Sequence, residues 1–90
     1  MRELDEVRLD IENVDLKLKE LFLNRMELIE EIKNIKRNNN LPVEDKKREE
    51  YLITKYSENV IKYKSEYLDF LNYIFYLSKK NMMEGVENEN

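Results

Sequence analysis

From Arg2 to Asn38, apolar side chains recur on alternating three- and four-residue steps. Leu4, Val7, Ile11, Val14, Leu18, Leu21, Leu28, Ile32 and Ile35 occupy those steps, and the stretch holds no Gly or Pro. Such spacing lays a single apolar seam along one helix. The seam position between Leu21 and Leu28 is Arg25. A cation within an apolar seam is costly unless an anion meets it. At ~1.5 Å per residue this first helix is expected to be ~50 Å long. A compact chain of this size has a radius of gyration of only ~12 Å. The helix must therefore project or lie along a second chain, and the regular seam favours the second. The expected architecture is all-α, with three helices per chain in an intertwined homodimeric bundle. A plain coiled coil shares the apolar spacing, but the seam arginine and the later helices weigh against it.

The remaining chain supplies the other two helices. Asn38, Asn39 and Asn40 are expected to end the first, because Asn tolerates the left-handed backbone common at helix C-termini. Leu41-Pro42-Val43 reads as an extended connector, since a residue before Pro is biased away from helix. Asp45 suits the N-cap of a second helix, with Glu49 and Glu50 near its positive end. Tyr51, Leu52, Ile53 and Tyr56 are its apolar positions. A break is expected between Ser57 and Ser65. The third helix is expected from about Ser65 to Met82, with Tyr67, Leu68, Leu71, Ile74, Phe75 and Ser78 on one face. Tyr63, Phe70, Tyr73 and Tyr76 add aromatic bulk that reads as core. Residues 1–83 are read as one domain, and the polar run 84–90 as a frayed tail.

Composition narrows the chemistry. The chain has 90 residues and a net charge of −4, with no histidine and no cysteine. At this size a lone core is marginal, and assembly is a common remedy. An acidic balance argues against nucleic acid, which needs a basic face. Without cysteine there are no disulfides or thiolate metal sites, and without histidine the commonest general base is missing. No apolar run reaches the roughly 20 residues of a membrane span. The charged first residues hold no signal-peptide core. A cytoplasmic, membrane-free setting is expected.

What remains is a set of spaced cations. Arg25 and Lys36 lie close to three turns apart, so both project from nearly the same face, ~16 Å apart along the axis. Arg8 lies ~25 Å before Arg25 on the same helix. It cannot reach the Arg25 site in its own chain, whereas in an antiparallel dimer it reaches the partner's. Asp45, Arg48 and Glu49 share one face of the second helix's first turn. An ordinary cap with a surface ion pair accounts for that trio equally well.

Taken together, these residues resemble the all-helical chorismate mutases. The likeness spans residues 4 to 82. It runs through Val7-Arg8-x-x-Ile11-x-x-Val14-Asp15-x-x-Leu18-x-x-Leu21-x-x-x-Arg25, then Ile32-x-x-x-Lys36, then Pro42-Val43-x-Asp45-x-x-Arg48-Glu49. The resemblance implies a Claisen rearrangement of chorismate to prephenate, feeding phenylalanine and tyrosine synthesis. That unimolecular reaction needs no nucleophile, metal or proton transfer, so no cofactor is expected. It needs a compact substrate conformer and stabilised charge separation.

By the same resemblance, Arg25 and the partner's Arg8 hold the two substrate carboxylates in bidentate fashion. Lys36 donates to a carboxylate and to the ether oxygen, and Glu49 accepts from the ring hydroxyl. Asp45 and Arg48 border the hydroxyl end. Ser78 matches a family serine, but the glutamine expected four residues later is Met82, with Asn81 one position early. The loss of one donor to a developing oxyanion costs on the order of 100-fold in rate. The connector between the second and third helices is also shorter than usual in the family. Three other readings stay open: an isochorismate pyruvate lyase of the same fold, a mutase acting on the amino analogue of chorismate, and a non-catalytic or weakly active helical dimer. Retention of Glu49 speaks against the lyase. Retention of Arg8, Arg25, Lys36, Arg48 and Glu49 speaks against a pure scaffold.

Overall fold

The computed structural model describes residues 1–87, with side chains through residue 84. Three helices follow in order: α1 (Leu4–Asn38), α2 (Lys46–Ser57) and α3 (Lys64–Glu87). Among the described residues there is no strand. α3 packs against both α1 and α2. The expected boundaries hold closely at α1, α2 and the start of α3. At its far end α3 runs on past Met82 to Glu87, through residues expected to lie in a frayed tail. Residues 88–90 of that tail lie outside the described part.

Asparagine ends α1 in a specific way. Asn40 takes the left-handed conformation, with φ of 56°. The Leu41 amide then donates back to the Lys36 carbonyl at 2.8 Å, and the Asn40 amide to the Arg37 carbonyl at 3.3 Å. This pair of bonds is a Schellman closure, which satisfies carbonyls that the helix end leaves open. Four residues after Leu41, Asp45 caps α2 by accepting from the Arg48 amide at 3.0 Å. The cap is the local reason α2 starts where it does. At the far side of α2, Asn59 and Tyr63 adopt positive φ and turn the chain into α3.

The chain is elongated. Its Cα radius of gyration is 16.8 Å and its extents are 56 × 26 × 16 Å, against the ~12 Å radius of a compact chain of this length. The core is small: Ile29 from α1 meets Leu71, Phe75 and Met82 from α3, with Ser78 buried among them. Leu71, Phe75, Ser78 and Met82 step by fours and threes, so they form one stripe on α3.

The aromatic bulk of α3 is a correction. Tyr63, Phe70, Tyr73 and Tyr76 were expected in the core, yet all four are exposed in the single chain. α1 and α2 cover only one stripe of α3; Phe70, Tyr73 and Tyr76 lie off it, and Tyr63 sits in the turn before the helix. Tyr67 stacks on Phe70, and Tyr73 tilts against Tyr76, along the outer surface. The seam of α1 is equally bare. Leu4, Val7, Ile11, Val14, Leu18, Leu21, Leu28, Ile32 and Ile35 are all exposed.

Candidate active site

Where the C-terminal part of α1 meets α2 and α3, a cavity of about 190 Å³ opens. Seven residues singled out in the sequence line it: Arg25, Lys36, Asp45, Arg48, Glu49, Ser78 and Met82. The Schellman turn brings this about. It turns the chain after Lys36, and the connector that follows carries the first turn of α2 to the cavity that the C-terminal part of α1 also lines. Arg8 is the exception. Its side chain is exposed and lies 3.9 Å from Asp5, one turn away on the same helix.

Arg25 is gripped by α3. Its Nη1 donates to the Ser78 hydroxyl, and its guanidinium carbon sits 5.9 Å from the centre of the Phe75 ring. The Ser78 hydroxyl in turn donates to the Ile74 carbonyl at 3.1 Å. Ser78 thus orients Arg25, rather than offering its proton to the cavity. Burial pushes the Arg25 guanidinium below its ordinary value, with Tyr56 pulling the other way. An arginine nevertheless keeps its charge in a protein. Lys36 is half-buried and donates through Nζ to the Val43 carbonyl at 2.9 Å. The guanidinium of Arg48 lies 5.4 Å from the centre of the Tyr51 ring.

The contacts of these three cations are an arginine–hydroxyl bond, a lysine–carbonyl bond and an arginine–ring contact. Among the described residues, none of the three has a carboxylate within ion-pair distance. Arg25 and Lys36 are half-buried, and a partly desolvated cation without a counter-ion is unfavourable. Their arrangement around one cavity is what a small dianion would relieve. The Glu49 carboxylate provides an acceptor in the same lining. Among the described residues there is no cluster of acidic, histidine or cysteine side chains fit to hold a metal ion. Among the described residues, no helix is long and apolar enough to cross a membrane.

One feature of the site was not anticipated. Lys79 lines the cavity and its Nζ lies 3.2 Å from Glu49 Oε1 and 3.7 Å from Glu44 Oε1. Its hydrogen bond to Glu49 raises the Lys79 pKa above its ordinary value, against a smaller effect of burial. In sequence Lys79 precedes Lys80 and reads as part of a solvated basic pair, so no local signal marks it. Met82, which the sequence puts where the family carries a glutamine, is buried and in the lining. Asn81 is not in that lining, and its buried side-chain oxygen has no hydrogen-bond partner among the described residues.

Set against known proteins, residues 7–82 match the family model described as chorismate mutase type II. No curated protein and no solved structure gives a significant match to the chain.

Proposed function

The chain belongs to the chorismate mutase type II family, and we propose that it rearranges chorismate to prephenate in sites built from two copies of the chain. The observation that carries this reading is the cavity lined by Arg25, Lys36 and Arg48, none of which has a carboxylate within ion-pair distance among the described residues. Chorismate brings two carboxylates, an ether oxygen and a ring hydroxyl. Arg25 takes one carboxylate. Lys36, standing across the cavity, donates to a carboxylate and to the ether oxygen. As the ether C–O bond breaks and the new C–C bond forms, negative charge gathers on that oxygen. A fixed ammonium beside it lowers the barrier without any proton transfer. Glu49 accepts from the ring hydroxyl, while Asp45 and Arg48 border that end. Holding the substrate compact supplies the remaining advantage. No step calls for histidine, cysteine, a metal or an organic cofactor. The product would enter phenylalanine and tyrosine synthesis.

The second carboxylate needs a further cation, and Arg8 of the partner chain is the proposed donor. Support comes from the bare apolar seam around Arg8. Val7, Ile11, Val14 and Leu18 are all more than a third exposed. Covering them against the same seam of a second copy removes that surface from water, at about 25 cal/mol per Å² of apolar area. A monomer of 11.1 kDa in sedimentation at micromolar concentration, with full helicity, would count against the pairing.

Met82 supports a second reading, a weakly active dimer of the same fold. A thioether cannot donate to the ether oxygen. The decisive measurement is the loss of chorismate's diene absorbance on addition of the protein, with pyruvate release from isochorismate assayed in parallel. Diene loss with prephenate as product supports the mutase. Pyruvate release alone would replace it with the lyase, and neither reaction would leave the non-catalytic dimer.

A further inference from the structure

We propose that Lys79 is a positioning residue that holds the Glu49 carboxylate away from Arg25, Lys36 and Arg48, keeping those cations open to an incoming dicarboxylate. The inference rests on the mutase reading of the cavity.

Glu49 shares its cavity with three cations that lack counter-ions. Glutamate has a flexible side chain, and a carboxylate that reaches an arginine forms a strong charge-assisted pair. An internal carboxylate of this kind is chemically the same competitor as one carboxylate of the substrate. Left alone, it would occupy the subsite it is meant to serve. The observed pairing avoids this. Glu49 is taken by Lys79 at 3.2 Å, while Arg25 rests on Ser78 and Lys36 on Val43. Lys79 reaches Glu49 from α3, whereas Arg25 and Lys36 stand on α1. Glu44, in the connector, holds the same ammonium at 3.7 Å. The hydrogen bond to Glu49 raises the Lys79 pKa, so the ammonium stays charged at neutral pH. Lys79 engages Oε1 of Glu49, and Oε2 remains able to accept from a hydroxyl.

The expected signature is asymmetric. Without Lys79, substrate must first displace Glu49 from a cation, so KM suffers more than kcat. The experiment measures kcat and KM for chorismate in wild type, Lys79→Met, Lys79→Gln, Lys79→Arg, Glu49→Gln and the Lys79→Met/Glu49→Gln double variant, with a melting curve for each. Lys79→Met and Lys79→Gln are expected to raise KM about tenfold, with kcat within about threefold of wild type. Lys79→Arg restores the KM. In the Glu49→Gln background, Lys79→Met adds nothing to KM, because no carboxylate remains to misdirect; coupling of this kind is what a double-mutant cycle isolates. An unchanged KM in both neutral variants overturns the inference. So does an equal KM penalty in both backgrounds, which would mean that Lys79 meets the substrate itself or merely supports the fold. Wild-type protein that leaves chorismate untouched overturns the mutase reading and this inference with it. Wild-type turnover with an unmoved KM overturns the inference alone.

Discussion

The two ends of α1 have the same apolar spacing and end in different surroundings. From Leu4 to Asn24 every residue is exposed. From Arg25 onward α1 packs against α3, with Ile29 buried and Arg25, Lys33 and Lys36 half-buried, while the seam residues Leu28, Ile32 and Ile35 stay exposed. The cations differ in the same way. Arg8, in the bare arm, has an exposed neighbour on its own helix. Arg25, in the packed half, has a hydroxyl and a ring from another element. Periodicity therefore reports that a helix has an apolar face. It does not report whether the same chain covers that face. In the proposed reading, the packed half holds most of the site, and the arm holds a cation that a partner chain's site would use.

The sharpest way to test the packed half is to remove its cations. Arg25→Ala and Lys36→Ala each delete a charge-assisted contact in a partly desolvated site, worth ~2–5 kcal/mol. Turnover of chorismate is expected to fall roughly 30-fold to several-thousand-fold in each variant. Circular dichroism is expected to show helicity close to wild type. Activity within threefold of wild type in either variant would move the site elsewhere.

The arm is tested by making it serve another chain. Arg8→Ala is expected to inactivate, although Arg8 is ~25 Å from Arg25 along its own helix. Mixing Arg8→Ala chains with Arg25→Ala chains should restore activity. Each mixed dimer has one doubly defective site and one intact site, so free exchange returns roughly a quarter of the wild-type rate. No recovery, once exchange is demonstrated by mass-tagged chains, would keep Arg8 out of the partner's site.

A smaller effect separates the two readings of α3. Met82 is buried in the cavity lining where a donor is missing. Met82→Gln keeps side-chain length and helix propensity and adds an amide donor. A gain in kcat of roughly 10-fold is expected, allowing for imperfect placement against the ~100-fold value of one oxyanion donor. Asn81→Ala is the control, expected to leave the rate unchanged. If that control loses activity and Met82→Gln gains none, Asn81 fills the role through a shift of the helix.

Much of the fold was legible because its causes are local. The Gly- and Pro-free seam, the Asn38-Asn39-Asn40 stop, the Asp45 cap and the break after Ser57 each act within a few residues. The cavity was legible through spacing and family likeness together, with Arg25, Lys36, Asp45, Arg48, Glu49, Ser78 and Met82 all in its lining. Lys79 was not, because its partner Glu49 lies on another helix and their meeting depends on how α2 and α3 pack. The exposure of Phe70, Tyr73 and Tyr76 escaped for a related reason. Helical spacing puts them on faces of α3, and only the packing decides which face its own chain covers.

The bare arm also alters what a melting temperature would mean for this chain. Were this helix covered by a second copy, as proposed, its persistence would depend on mass action. In the proposed pair, unfolding converts one dimer into two chains, so dilution favours the unfolded side. Each tenfold dilution would remove ~1.4 kcal/mol of apparent stability per dimer. The melting curve would slide to lower temperature as the sample is thinned, and a single quoted Tm would describe a concentration as much as a protein.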